Sequence, residues 1–518
     1  MSLLSGLTTY DDVTLVLLSG LILTVTAGIV SRSEPLAHPL VLGQQSEPSK
    51  VRRPTESAIY RNYGVGMYMP LPTRPKRDVL TISNLIQGDM KGERILFGTK
   101  ITNTEIQKQI SALGSGLVHK LNLAPRDSSV LLLLEDNFEC FLTVLALSSY
   151  SVTPIAINHL QLLNPVLSVH PPSAIIVQSS FLHTLLEQLA DEKEDGLHLI
   201  VVGEIDALAE SHARRTGIIL TRWADLLESG SETVNLETAD LPTANDVFMI
   251  SYYGDEAGQP KAVQLTHQNM TAAVVSGRGL FTISSPISTN DRILSSFSMN
   301  TPFGMAVALQ ALWEGASFTI KPNVGLFKSE STKEEDSIIS VVASVKPTLL
   351  FITPSELLTL SNQVLTTAKG SFLYTLAWKR KMGALLEGSI SRTTPWDRVV
   401  FDDARVRWSL ADLKGVVTAG EPSDPSTQAI SSIAMSVPIA RAHIHPLSAS
   451  PILASHPLDL QRHFPSTSGS RVSKDPLHVG PPAPSVEVKL VGVSESEIEA
   501  GNDPRGEASS SIDDAELH

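Results

Sequence analysis

Short apolar runs recur along this chain with helix-length segments between them: SVLLLL from Ser129, SAIIV from Ser173, LHLIVV from Leu197, DVFMIS from Asp246, ASFTI from Ala316, PTLLFIT from Pro347 and GVVTAG from Gly415. A strand that is apolar on both faces must be covered on both, and parallel strands joined by crossover helices achieve this. Helical patterns over Thr104 to Leu121 and Phe138 to Leu147 supply such covers. The expected class is α/β, with mostly parallel sheets covered by helices. No internal repeat of fixed period competes with that reading.

Composition narrows the function classes. At 518 residues, 42% hydrophobic and 18% charged, the chain is globular and long enough for roughly two to four folding units. Its formal net charge of −14 opposes a polyanionic partner, so no nucleic acid is expected. A single cysteine, Cys140, rules out an intrachain disulfide and a cysteine-rich zinc site. Its place in the run Phe138 to Leu147 marks it as a buried core residue.

Val13 to Val30 carry no charge over 18 positions, about 27 Å as a helix against about 30 Å of bilayer hydrocarbon. Asp11 and Asp12 precede this stretch, whereas Arg32, Lys50, Arg52, Arg53 and Arg61 follow it, which by the positive-inside rule keeps the bulk of the protein cytosolic. Ser19, Gly20, Thr24, Thr26 and Gly28 weaken the span, so a buried helix or a hairpin in one leaflet stays open. The organisation expected is a hydrophobic membrane-anchor helix over 1–32, an extended Pro-rich and basic linker without a core over 33–95, an α/β domain over 96–470, a partial β subdomain over 471–507 and a disordered tail over 508–518. SVEVKLV alternates as a half-exposed strand of that β subdomain should.

Met249 opens the most informative stretch, MISYYGDEAGQPKAVQLTHQNMTAAV. A strand runs into a loop holding Gly254, Gly258 and Pro260, then Lys261, and a second strand leads to Thr266, His267 and Asn269. Glycines let backbone N–H groups close on a phosphate and a lysine adds a point charge, so the pattern suits a phosphate cradle. A plain turn with a surface lysine has the same composition.

This stretch resembles the phosphate-loop signature of the adenylate-forming (AMP-binding) superfamily, YTSGTTGxPKGVxLTHxN, with Tyr252, Gly258, Pro260, Lys261, Val263, Leu265, Thr266, His267 and Asn269 on matching positions. Other landmarks follow in the same order. SVLLLLEDNFECFLTVLALSSYSVTPIAIN is similar to the family's early strand–helix segment, VKPTLLFITPSELLTL to a later strand with its Pro-initiated helix, GVVTAGEPSDPS to the nucleotide loop, and HVGPPAPSVEVKLV to the entry of the last N-terminal subdomain. LAWKRKMGALLEG followed by TPWDRVVFDDARVRW resembles the insertion of long-chain acyl-CoA synthetases. The resemblance covers about Thr99 to Glu507.

It implies an adenylate-forming large N-terminal domain, with Gly258, Lys261, Thr266 and Gly420 around a nucleotide and Ser448 facing its phosphates. ATP with Mg²⁺, and CoA as co-substrate, would be required by an active enzyme. A fatty acid is the implied ligand, and the surface of the endoplasmic reticulum or a lipid droplet the implied location.

Several positions depart from the pattern. The family's hydroxyl-bearing T-S-G-T-T becomes Tyr253, Gly254, Asp255, Glu256 and Ala257, and carboxylates there repel phosphate. Ala262 replaces the glycine after the lysine. In HPLSAS, His445, Pro446, Ser448 and Ala449 stand at the Tyr, Gly, Thr and Glu of YGxTE, and alanine cannot ligate Mg²⁺. Thr301 replaces the usual histidine before Gly304. The hinge, the ribose-binding Asp and the catalytic Lys of the family's C-terminal domain have no counterpart before His518. No catalytic residue is assigned, and His443 and His445 lack carboxylate or cysteine partners for a metal. Three readings stay open: a non-catalytic relative, an active fatty acid–CoA ligase, and a truncated product of a gene for one.

Overall fold

The computed structural model describes residues 12–30, 34–88, 90, 92–189, 196–232, 241–255, 257–327, 337–461 and 477–511. Among them, two large sheets carry the expected alternation of strand and helix. A seven-stranded sheet runs in the order Pro260–Thr266, Val247–Gly254, Thr153–Ile157, Ser129–Leu133, Ala174–Gln178, His198–Val202, Ile219–Arg222. Its strands are parallel except the edge strand Pro260–Thr266, which forms a hairpin with Val247–Gly254. An eight-stranded sheet has a parallel centre, Ile439–His443, Gly415–Thr418, Leu349–Ile352, Arg292–Ser295, Ser317–Ile320 and Arg94–Leu96. Antiparallel edges, Leu453–Ala454 and Thr99–Ile101, close it. The apolar runs read from the sequence are the buried strands: Val130 to Leu133 and Ala174 to Val177 are at most 1% exposed, as are Leu350, Phe351 and Ile352.

Helices cover these sheets because their ends are capped locally and their faces are apolar. Thr102 starts Asn103–Leu121 with a capping box to Glu105, and Asn137 caps Phe138–Ser149 by accepting the N–H of Cys140. Cys140 is a buried free thiol. One core cluster gathers these two helices with His267–Arg278 and Pro302–Glu314 between the sheets. A second fills the outer side of the eight-stranded sheet and includes the insertion, whose residues Ala377, Leu385, Val400 and Phe401 are buried.

The linker expected over 33–95 is corrected. Val79, Ile82, Leu85 and Ile86 are at most 5% exposed within the main core, and the N–H of Ile82 donates to His267 Nδ1 at 3.1 Å. Ser46–Pro48 and Tyr60–Asn62 pair with Glu487–Val491 and Glu507–Ser511 in an antiparallel four-stranded sheet. The β unit at the end of the chain is thus completed by strands from its beginning. The disordered tail is corrected in part: residues 508–511 belong to the last strand, and 512–518 lie outside the described residues. The hydrophobic segment folds as a helix, Asp12–Val30, with Val16, Leu17, Leu21 and Leu23 all at least 60% exposed. Among the described residues, no helix is long and apolar enough to cross a membrane.

Candidate functional site

The phosphate-loop motif forms the hairpin between Val247–Gly254 and Pro260–Thr266, with Tyr253 opposite Lys261 and Gly254 opposite Pro260. The loop closes on Asp255. Its backbone N–H donates to Gln259 O at 2.9 Å, and its carbonyl accepts the N–H of Gly258 at 2.9 Å. Its carboxylate Oδ1 accepts the N–H groups of Ala257 at 2.9 Å and Gln259 at 2.8 Å. Lys261 Nζ stands 3.7 Å from Asp255 Oδ2. The N–H of Gln259, the loop's other donors and Lys261 together hold this carboxylate below its usual pKa. The repulsion expected of Asp255 is therefore realised differently: the side chain turns inward and takes the donors itself. Glu256 lies outside the described residues. Gly258 adopts φ +75° with open space beside it, so the turn, and not a close contact, requires a glycine there.

Thr266 is not brought to this loop. It ends the strand six residues after Pro260, about 20 Å away, and caps His267–Arg278. Its hydroxyl donates to Asn269 Oδ1 at 2.8 Å and accepts the N–H of Asn269 at 3.1 Å. Burial pushes His267 down to about 4, so its ring is neutral, fully enclosed and edge-on to Phe248. The Thr-His-Asn part of the motif is thus a structural corner that anchors residues 81–86.

Gly420 follows the strand Gly415–Thr418 in the other large sheet, at φ +86°. It borders a cavity of about 710 Å³ lined by residues 418, 420–423, 441–444 and 477–480, among them Glu421, Arg441, His443 and His478. Glu421 is steadied by the hydroxyl and N–H of Ser355, and Asp424 caps Pro425–Met435, its pKa pulled down to about 2 chiefly by the hydroxyl of Ser426. Neither Gly258, Lys261 nor Ser448 lines this cavity. Ser448 is 1% exposed, and its hydroxyl donates to Ser450 O at 2.7 Å, turned into its own loop. Ala449 is buried beside it. His445 accepts the N–H of Leu447 through Nδ1, and burial with the nearby His443 lowers its pKa. Among the described residues, no group of three or more His, Cys, Asp or Glu side chains converges as a metal site would require.

One charged residue went unread in the sequence. Asp136, at the end of Ser129–Leu133, accepts the N–H of Met299 at 2.7 Å, and burial raises its pKa to about 6. It ties the seven-stranded sheet to the segment that leads into Pro302–Glu314. EDN in the sequence gives no signal that this acid is interior.

Comparisons with known proteins agree with this fold. The model of the AMP-binding enzyme family matches residues 88–508. The chain belongs to the AMP-binding enzyme family. It is 25% identical over 409 residues to the peroxisomal long chain acyl-CoA synthetase 6 of Arabidopsis thaliana, covering 77% of this chain and 53% of that protein. With the mouse (Mus musculus) long-chain-fatty-acid–CoA ligase 6 it shares 23% identity over 403 residues, covering 76% of this chain and 53% of the relative. The chain spans about half the length of these curated relatives. Its fold is similar to that of a luciferase-like enzyme from the mealworm Zophobas morio, with a TM-score of 0.56, 13% identity and coverage of 85% and 88% of the two chains. A long-chain-fatty-acid-CoA ligase from Archaeoglobus fulgidus gives 0.52 at 16% identity, covering 83% and 77%.

Proposed function

We propose that this AMP-binding family member is a membrane-associated, long-chain acyl-CoA synthetase-like protein of fatty-acid metabolism whose phosphate loop does not grip ATP, so that adenylation is impaired or lost. The observation that carries the reading is Asp255, whose carboxylate accepts the N–H groups of Ala257 and Gln259 and lies 3.7 Å from Lys261. A phosphate would have to displace an anion already held by the same donors. The rest of the site does not fit a metal-held triphosphate: Ala449 offers no ligand and Ser448 donates into its own turn. No step through Mg²⁺ follows from these residues. Support for a fatty-acid ligand comes from the long-chain relatives and from an apolar cavity of about 590 Å³ bordered by Val41, Leu280, Phe281, Pro457, Leu458 and Pro484. Support for membrane association comes from the exposed apolar helix Asp12–Val30.

One observation favours an active fatty acid–CoA ligase using ATP and CoA: the cavity beside Gly420 is within the size of ordinary ligand pockets, about 300–1,000 Å³. Calorimetry with Mg²⁺-ATP separates the two readings. The wild-type chain is expected not to bind at millimolar ATP, and Asp255→Thr is expected to gain binding that a further Lys261→Ala change removes. Micromolar binding by the wild type, with acyl-adenylate formed from a long-chain fatty acid, would establish the ligase instead.

A further inference from the structure

The insertion that resembles long-chain acyl-CoA synthetases plays no part in either loop, yet its helix Tyr374–Leu386 leaves large apolar side chains exposed beside basic ones. Tyr374–Leu386 turns Ala377, Lys381 and Leu385 inward, about 40° apart around the axis. The inward lysine is fixed. Lys381 Nζ donates to both oxygens of Asp397 at 2.8 and 2.7 Å, and Arg405 reaches the same carboxylate at 2.8 Å. The opposite face holds Leu376, 47% exposed, Lys379, Gly383 and Leu386, 44% exposed, with Arg380 at its margin. Phe372, in the turn that enters the helix, is 92% exposed, and exposed Lys369 precedes it. A side chain at Gly383 would meet nothing, so this face is open along the helix.

Large apolar side chains between lysine and arginine groups are the composition of an interfacial helix that lies on anionic lipid, and this patch is locally basic against the net charge of −14 of the protein as a whole. The other apolar surface is tethered to the same place. The N–H of Leu36 donates to Gly388 O at 2.9 Å, just past the end of the helix. Leu36 comes six residues after Val30, so the exposed helix Asp12–Val30 can end no more than about 22 Å from the contact of Leu36 with Gly388.

We propose that the outer face of Tyr374–Leu386, with Phe372, is a docking surface for an anionic phospholipid bilayer. It adds to the membrane association read from Asp12–Val30: the N-terminal helix supplies apolar attachment, and the insertion supplies the preference for anionic lipid and sets how the domain lies on the surface. Glu387, exposed at the end of the helix, is an acidic residue next to the patch in sequence.

The test is sedimentation of the full chain with phosphatidylcholine vesicles, with and without phosphatidylserine. Wild type is expected to bind the serine-containing vesicles more tightly, and raising salt from about 0.1 M to about 1 M, which shortens the screening length from about 10 Å to about 3 Å, is expected to remove that preference. Lys379→Glu with Arg380→Glu should weaken binding to anionic vesicles about tenfold or more and leave neutral vesicles and the melting temperature unchanged. Phe372→Ser with Leu376→Ser should weaken binding to both. Equal binding of the charge-reversed variant and wild type to anionic vesicles would overturn the proposal. So would a concentration-dependent dimer, seen by light scattering, that the Phe372 and Leu376 changes abolish without touching vesicle binding. Leu17→Asp with Leu21→Asp tests the N-terminal helix alone, so its failure is distinguishable from failure of this surface.

Discussion

Two glycine-bearing loops leave the carboxyl ends of parallel strands, one in each large sheet, and they end in opposite states. The loop after Val247–Gly254 folds onto its own Asp255, which takes the N–H groups of Ala257 and Gln259. The loop after Gly415–Thr418 opens beside Gly420 onto a cavity of about 710 Å³. Both contain a glycine at positive φ, Gly258 at +75° and Gly420 at +86°. Glycine therefore permits a cradle but does not make one. What decides is whether the donors that the backbone presents already have an acceptor within the loop.

The sharpest break around the open loop is expected across its cavity at Gly480, which lines it at φ +94° with the backbone of Ala454 2.2 Å from where a Cβ would stand. Gly480→Ala should destabilise the protein by about 3 kcal/mol or more, read as a shift of the urea midpoint, because neither backbone can yield cheaply. A comparable effect is expected at the contact that ties the sheets. The pKa of Asp136 is raised to about 6 from 3.8, so its contribution is present below pH 4 and lost as pH rises through 6. Asp136→Asn removes that loss, and its stability relative to wild type should rise by about 3 kcal/mol between pH 4 and pH 7 in denaturant titrations. A flat difference across that range would mean the carboxyl is not enclosed.

Gly258→Ala is expected to cost only about 1 kcal/mol, since the space beside it is open and only the positive φ resists. The contrast with Gly480 would collapse if both variants melted alike. The smallest stability change is expected for Lys261→Ala. Its partner Asp255 keeps two backbone donors and the lysine is 58% exposed, so the melting temperature should not move measurably. A clear drop would mean that the ion pair, rather than the N–H groups, closes the loop.

Much of the fold was legible in the sequence because its strands are buried on both faces: SVLLLL, SAIIV, LHLIVV and PTLLFIT leave few alternatives to parallel sheets. The short strands Ser46–Pro48, Tyr60–Asn62 and Arg94–Leu96 were not, because runs of three residues carry no period. Two of them depend on partners hundreds of residues away, as in the pairing of Tyr60 with Val488 and of Leu96 with Phe318. The motif around Lys261 was visible, but its division of labour was not. Thr266, His267 and Asn269 look like ligand contacts in a string of letters, and are a helix cap and a buried anchor once the strand's length separates them from the loop.

By itself the sequence determined the α/β class, the order of the family's landmarks, the absence of serine and threonine from residues 253–257 and the alanine at 449, where the resemblance implies a glutamate, because each depends on residue type at a position or on local period. Only the tertiary structure decided where Asp255 points, that Ser448 turns away from the cavity, that Asp136 is interior and that the N-terminal strands complete the last β unit. Those outcomes depend on which donor meets which acceptor after distant segments pack, and pairing at that distance leaves no trace in the local pattern of a chain.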